Sequence, residues 1–159
     1  MSVASDGGTR LQERELKIIR VFEAPRRVVF RAWVDAKQLA QWWGPSGFTN
    51  PICEVDAHPG GALRIVMRAP DGVEHQMQGV FREVVEPERL VFTNRALGPN
   101  GETLLEGLTS VTFTEQEGKT TMTLETSAVA LVARAGTMLD GMNEGWNQSL
   151  ERLTIVLAG

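Results

Sequence analysis

The chain has 159 residues, of which 42% are apolar and 23% are charged, which is enough for one globular domain with a hydrophobic core. Its formal net charge of -4 and its scattered Lys and Arg residues argue against a nucleic-acid partner. The lack of a long apolar run argues against a membrane span and a signal peptide, and the single cysteine, Cys53, cannot form an internal disulfide, so we expect a cytoplasmic protein.

The N-terminal part of the chain predicts a tail, one strand and two short helices. Residues 1–14 are polar, as expected of a flexible tail before a domain at 15–159. Residues 15–22 predict the first strand. Residues 25–34 begin with a proline and place apolar residues at steps of three and four, which predicts a short helix. Asp35 is typical of the N-cap of a second one.

From Phe48 onward the apolar residues alternate with polar ones, the pattern of strands that bury one face. Turn sequences such as Asp71-Gly72 and Glu117-Gly118 separate these strands, so we expect a meandering antiparallel sheet. The residues expected on its inner face are Leu63, Ile65, Met67, His75, Met77, Gly79, Phe81, Phe92, Val111, Phe113, Met122 and Leu124.

Residues 135–157 predict one long amphipathic helix, because apolar residues recur at steps of three and four. Gly141 and Gly145 lie beside this apolar stripe, and each costs about 1 kcal/mol relative to alanine inside a helix. Either close backbone packing or room for a ligand under the helix would explain them. The residues expected to face the sheet include Met138, Met142 and Trp146.

These elements predict an α+β helix-grip fold, in which a curved antiparallel sheet wraps the C-terminal helix. A sheet curled around one helix leaves a cavity where the side chains at its open end do not meet. Five of the six methionines are expected to face inward, and methionine suits variable contents as well as irregular core gaps. A ligand cavity and a solid core therefore both stay open.

Two tryptophan motifs stand in a specific order along the chain. Trp42-Trp43-Gly44-Pro45 ends the second predicted helix, and a Gly-x3-Gly-Trp motif at 141–146 lies in the last one. Together with residues 22–33, 79–84 and 87–93, these motifs resemble the START-like (SRPBCC) superfamily. More narrowly, they resemble the group related to the C-terminal domain of the heat-shock protein 90 ATPase activator, and the match covers nearly the whole chain.

The resemblance implies a helix-grip fold, whereas its implications for function are broader. Proteins of this superfamily include lipid carriers, plant allergens that bind apolar small molecules, and polyketide cyclases and dehydratases, so fold alone does not give function. The eukaryotic activator engages its chaperone through an additional N-terminal domain. Nothing before residue 15 is long enough to form one, which argues against a chaperone partner.

Signals for catalysis and metal binding are weak. Cys53 and His58 lack the further paired ligands of a zinc site, so we expect neither a metal nor a cofactor. His75 is a weak candidate for a general base in the cavity, and the alternative is a solvent-facing histidine near a hairpin end. Glu106 and Asp140 are acids near the expected cavity mouth, although most carboxylates are simply solvated.

The tryptophans and the predicted cavity favour a binding protein. Trp33 and Trp42 are expected in the core, while Trp43 must point elsewhere and is our candidate gate of the cavity. We expect reversible binding of a small, largely apolar molecule. The alternatives are an enzyme of the cyclase, dehydratase or hydrolase type that uses the same cavity, and an interaction module that assists a chaperone. A free edge strand also allows a homodimer.

Overall fold

The computed structural model describes residues 12–159, and its elements follow the predicted order as far as the end of the sheet. The strands are β1 (Gln12–Phe22), β2 (Thr49–Val55), β3 (Ala62–Arg68), β4 (Glu74–Val85), β5 (Arg89–Leu97), β6 (Thr103–Gln116) and β7 (Lys119–Ala130). The helices are α1 (Arg26–Val34), α2 (Ala36–Trp42), α3 (Gly136–Asp140) and α4 (Met142–Ala158).

The seven strands form one antiparallel sheet in the order β1-β7-β6-β5-β4-β3-β2, which confirms the predicted meander. β1 pairs with β7, because α1 and α2 carry the chain from one edge of the sheet to the other. β1 and β2 are consequently the two edge strands. A homodimer formed through either edge stays a prediction.

The first strand begins earlier than expected. Gln12 pairs with Ala130, so residues 12–14 belong to β1 and not to a tail. The rest of the predicted tail, residues 1–11, lies outside the described residues.

The two short helices confirm the signals in their sequence. α1 begins directly after Pro25 and buries Phe30 and Trp33. Asp35 caps α2, since its carboxylate accepts hydrogen bonds from the backbone N–H groups of Lys37 at 2.9 Å and Gln38 at 3.2 Å. Among residues 12–159, no helix combines the length and the apolar character needed to cross a membrane.

The prediction of one continuous helix over 135–157 is wrong. The segment begins with a turn of 3-10 helix, Ala133–Ala135, and the following α3 and α4 are separated at Gly141. Gly141 has ψ near -1°, well away from the helical value of about -42°. Glycine disfavours the helix, so the regular helix is interrupted there while the apolar spacing continues through the break.

The main core lies between one face of the sheet and the helices α1, α2 and α4. It includes Phe22, Phe30, Trp42, Leu150 and Leu153, each 2% exposed or less. A smaller cluster, which contains Ala128, Ala130, Ala135 and Leu139, packs beneath α3. The broken C-terminal segment therefore covers two separate apolar regions of the sheet.

Glycine at position 79 permits a close approach of β4 and β5. A Cβ atom at Gly79 would overlap the carbonyl oxygen of Thr93 on β5. The Thr93 hydroxyl also accepts a hydrogen bond from the backbone N–H of Val80 at 2.9 Å, next to an irregularity in the strand register. Gly145 differs, because a Cβ atom there would meet nothing within 4 Å. Close packing therefore does not explain Gly145.

We expect Gly79→Ala to lower the free energy of unfolding by about 1–3 kcal/mol, since the added methyl group must displace a backbone carbonyl. Gly145→Ala is the matched control. It should raise the free energy of unfolding by about 0.5–1 kcal/mol, because alanine is the better helix former and the space is open. Urea unfolding of both variants measures the two effects, and a stable Gly79→Ala variant would contradict the assignment.

Candidate functional site

An open cleft of about 740 Å³ lies where α3, the β3–β4 hairpin, the end of β5 and the loop after α2 meet. Most of its lining atoms belong to apolar side chains. The lining residues are Trp43, Pro45, Phe48, Met67, Val73, Glu74, His75, Gln76, Met77, Ala96, Leu97, Gly98, Pro99, Leu104, Arg134, Ala135 and Met138.

Charged side chains that line the cleft are paired with partners. Glu74 forms an ion pair with Arg68 at 2.7 Å, and Arg134 forms one with Glu102 at 2.8 Å. Hydrogen bonds from backbone N–H groups, and then from Arg134, lower the pKa of the Glu102 carboxyl. Among the described residues, the two charged side chains that line the cleft, Glu74 and Arg134, are therefore both in ion pairs. The cleft presents mainly apolar surface to solvent.

One wall of the cleft is the loop at residues 43–48, and α4 holds this loop through its backbone. The Arg152 guanidinium donates hydrogen bonds to five carbonyl oxygens. Its acceptors are the carbonyls of Gln41, Trp43, Gly44, Pro45 and Phe48, at 2.9–3.1 Å. Burial lowers the pKa of the Arg152 guanidinium, which remains protonated because arginine ordinarily titrates far above neutrality.

Two further residues of α4 bind the same loop. The backbone N–H of Gly44 donates to the Ser149 hydroxyl at 3.0 Å, and that of Ser46 donates to the side-chain oxygen of Gln148 at 3.0 Å. Gly44 has φ +95°, a left-handed conformation that favours glycine. The Ser149 contact indicates a structural role for this polar residue on the inner side of α4.

The predicted cavity residues separate into two groups. Trp43, Met67, His75, Met77 and Met138 line the cleft together. The other sheet residues lie in the closed core and do not line it, because the curved sheet packs directly on α1, α2 and α4 there. This core set, each 2% exposed or less, is Leu63, Ile65, Phe81, Phe92, Val111, Phe113, Met122 and Leu124.

Three predicted cavity residues lie elsewhere. Gly79 lies in the sheet beside Thr93, as described above. Met142, the first residue of α4, packs against the smaller cluster beneath α3. Trp146 is half-buried against the main core and forms part of the tryptophan cluster described below.

Several lining residues were missed from the sequence. Phe48, Ala96, Leu97 and Leu104 belong to strand ends or their flanks, where alternation gives no clear inward face. Arg134 follows the last strand, and apart from its charge nothing in the sequence around it indicates a position at the cleft. Glycine and proline at 98–99 marked a turn, and this signal could have located one edge of the cleft.

The histidines and the cysteine considered for catalysis or metal binding are not arranged as a catalytic or metal site. His75 is exposed at the cleft, with its ring 6.1 Å from that of Phe48. His58 pairs with Asp56 at 2.7 Å. Burial, and then the charge of Glu54, raises the pKa of the Cys53 thiol to about 11, so this thiol is protonated at neutral pH. Within residues 12–159, no three His, Cys, Asp or Glu side chains are grouped to hold a metal ion.

The two acids expected near the cavity mouth do not line the cleft. Asp140 forms an ion pair with Arg14 of β1. Glu106 is exposed on β6, where it pairs in register with Arg95 of β5 and Val129 of β7. Neither carboxylate is therefore positioned to act on a molecule in the cleft.

All four tryptophans meet at the inner side of the cleft. Trp33 and Trp42 are buried, as predicted, and their rings lie 4.7 Å apart. Trp43 packs against Trp33 at 6.5 Å and against Trp146 at 5.3 Å, in edge-to-face geometry. The Trp42 Nε1 donates to the Ala32 carbonyl at 2.9 Å. Trp43 therefore borders the cleft on one side and the buried cluster on the other.

Comparison with family models gives one match, which covers most of the chain. The model described as "Activator of Hsp90 ATPase homolog 1-like protein" matches residues 23–158. Comparison with curated protein sequences gives no significant match.

Solved structures of bacterial proteins share the fold. Protein CV1439 from Chromobacterium violaceum is 27% identical, with a TM-score of 0.75 over 89% of this chain and 95% of that chain. Protein Ms6760 from Mycobacterium smegmatis is 25% identical, with a TM-score of 0.75 over 94% and 96%. The AHSA1 protein of Silicibacter pomeroyi is 24% identical, with a TM-score of 0.74 over 91% and 98%. These similarities confirm the helix-grip fold.

We expect Arg152→Met to lower the free energy of unfolding by about 2–4 kcal/mol, because five carbonyl oxygens lose a charged donor. Arg152→Lys should recover only part of this loss, since an ammonium lacks the planar fork of a guanidinium. Urea unfolding is the measurement.

Arg95→Met is the matched control for this prediction. Arg95 is exposed and makes one long hydrogen bond, to Gln78 at 3.4 Å, so its removal should change stability by less than about 0.5 kcal/mol. Equal stability of the Arg95 and Arg152 variants would contradict the structural role of Arg152.

Proposed function

This chain belongs to the family of activator of Hsp90 ATPase homolog 1-like proteins, and we propose that it reversibly binds a small, largely apolar molecule in the cleft beside Trp43. The observation that carries the proposal is the cleft itself. Its volume of about 740 Å³ falls within the range of about 300–1,000 Å³ typical of small-molecule sites, and its lining is mainly apolar. The fold is one that START-like proteins use for ligand binding.

The exposed apolar surface of the cleft supports this proposal. Met138 is 38% exposed and Val73 is 51% exposed, although both belong to a concave wall. Covering apolar surface is favourable by about 25 cal/mol for each Å² removed from water. Three methionines, at 67, 77 and 138, line the wall, and their flexible side chains suit a ligand of variable shape.

Another depression on the surface, of similar volume, is less suited to an apolar molecule. This depression, of about 750 Å³, lies between the start of α1 and β6 and is lined largely by charged and polar residues, among them Arg26, Arg27 and Glu115. Glu115 already accepts a hydrogen bond from the backbone N–H of Arg26 at 2.8 Å. We therefore assign binding to the cleft beside Trp43.

The remaining predictions about partners and location stay predictions. These are the cytoplasmic location, the absence of a nucleic-acid partner, the homodimer, and the doubt about a chaperone partner. The description of the family names an ATPase activator. No specific contact among the described residues favours that activity here, so we do not propose it.

We expect Ala96→Trp to weaken binding of the neutral fluorescent probe N-phenyl-1-naphthylamine by about tenfold or more, since the indole fills part of the cleft. Fluorescence titration of the purified protein measures the affinity. Ala62→Trp is the matched control, because Ala62 is an exposed strand residue away from the cleft, and it should change the affinity less than about twofold.

Equal loss of affinity in the Ala96 and Ala62 variants would contradict the assignment of the cleft. Unchanged affinity in Ala96→Trp, with normal unfolding behaviour, would contradict it as well. Native mass spectrometry of the freshly purified protein, followed by organic extraction, would then identify any molecule carried from the cell.

His75 provides the one observation in favour of the enzyme alternative, since its imidazole lies at the cleft and is open to solvent. We expect His75→Gln to change the affinity for N-phenyl-1-naphthylamine less than about threefold, because the ring contributes little of the apolar wall. If the protein converts a molecule extracted from the cell, the same substitution should abolish turnover. Full turnover in His75→Gln would exclude proton transfer by this residue.

A further inference from the structure

Trp33 occupies the centre of the aromatic cluster behind the cleft. Its ring contacts those of Trp42, Trp43, Trp146 and Phe92, with centroid distances of 4.7–6.5 Å. The side chain is almost completely buried, with 2% of the residue exposed. Every one of these neighbours presents an aromatic ring, and an aromatic face is only a weak hydrogen-bond acceptor.

The indole nitrogen of Trp33 is a buried donor without a protein acceptor. Among the described residues, no oxygen or nitrogen accepts a hydrogen bond from Trp33 Nε1. The neighbouring indole of Trp42 is satisfied, since its Nε1 donates to the Ala32 carbonyl at 2.9 Å. Buried Trp N–H groups usually find a partner, because an unpaired buried donor carries a desolvation cost.

Trp43 is the member of the aromatic cluster that contacts both the Trp33 ring and the cleft. Trp43 lines the cleft and packs against Trp33 at 6.5 Å, with the two rings nearly perpendicular at 85°. The backbone of Trp43 is fixed, because its carbonyl accepts hydrogen bonds from Arg152 and from the side chain of Asn50. A rotation of the Trp43 ring about its side-chain bonds is therefore the simplest movement that joins the cleft to Trp33.

We propose that Trp33 Nε1 is the hydrogen-bond donor of an inner subsite, which binds a neutral carbonyl oxygen of the ligand after the Trp43 ring turns aside. This inference rests on the proposed function and names the chemical class of the ligand. A carboxylate is excluded from this subsite, because a buried charge needs a counter-charge. The rings around Trp33 offer none, and the guanidinium of Arg152 is already committed to backbone carbonyls.

Two probes of nearly equal shape test the proposal. 2-Acetylnaphthalene carries a carbonyl oxygen, and 2-ethylnaphthalene does not. Equilibrium dialysis gives the affinity of each probe for the wild-type protein, for Trp33→Phe and for Trp42→Phe. The preference for the acetyl compound should fall about tenfold in Trp33→Phe, the factor that one neutral hydrogen bond provides. Trp42→Phe is the matched control and should keep the wild-type preference.

A spectroscopic measurement on the wild-type protein keeps the test valid if Trp33→Phe fails to fold. The four indole N–H groups give four resonances in a proton–nitrogen correlation spectrum, which triple-resonance experiments assign. The Trp33 resonance should move downfield with 2-acetylnaphthalene and not with 2-ethylnaphthalene.

The outcomes separate this inference from the function on which it rests. If both probes bind, the preference is the same in all three proteins and the Trp33 resonance responds equally to both, then the inner subsite is overturned and the binding function stands. If neither probe binds the wild-type protein, the proposed function is overturned and the inner subsite with it.

Discussion

The structure of the cleft depends on one interaction, the binding of the Arg152 guanidinium to five backbone carbonyls. The loop at 43–48 contains two glycines with positive φ and a proline, and within it one turn is closed by a hydrogen bond from the backbone N–H of Phe48 to the Pro45 carbonyl at 3.1 Å. The Trp43 carbonyl also accepts from the Asn50 side chain, and the Pro45 carbonyl accepts from the backbone N–H of Phe48. The charged donor from α4 adds to these bonds and reaches the Gly44 and Phe48 carbonyls as well. Nη1 contacts three of the carbonyls and Nη2 contacts two, so their four N–H groups include at least one that is shared between two acceptors. Because the guanidinium is planar and rigid, one side chain can fix the course of the whole loop.

The C-terminal helical segment is divided at Gly141 into α3 and α4. α3 packs on β1 and β7, with Leu139 in the smaller core cluster, and Met138 lines the cleft. Two short apolar surfaces replace one long stripe, and the cleft lies between α3 and the loop that Arg152 holds. The break at Gly141 and the loop held by Arg152 together leave the end of the sheet open.

Much of the fold follows from local patterns, whereas the cleft does not. The strand alternation and the Asp35 cap were predictable because each involves residues close in sequence. The break at Gly141 was not, because Leu139 and Met142 keep the helical spacing across it. Arg152 reads as an ordinary surface charge, since its acceptors are backbone atoms 104–111 residues earlier in the chain. Residues of the closed core and residues of the cleft follow the same alternation of apolar and polar positions along the strands. The sequence pattern therefore could not show which inward-facing residues line the cleft.

The aromatic cluster connects the stability of the domain to its binding surface. Trp33 and Trp42 are core residues, while Trp43 belongs to the core cluster and to the cleft wall at once. Aromatic packing of this kind stabilises the fold through burial, and it needs no free polar group. An indole donor at the centre of the cluster therefore costs stability unless something accepts from it, and a purely apolar aromatic ring would not carry that cost. That physical difference is the reason to interpret Trp33 as part of the binding site and not of the core alone.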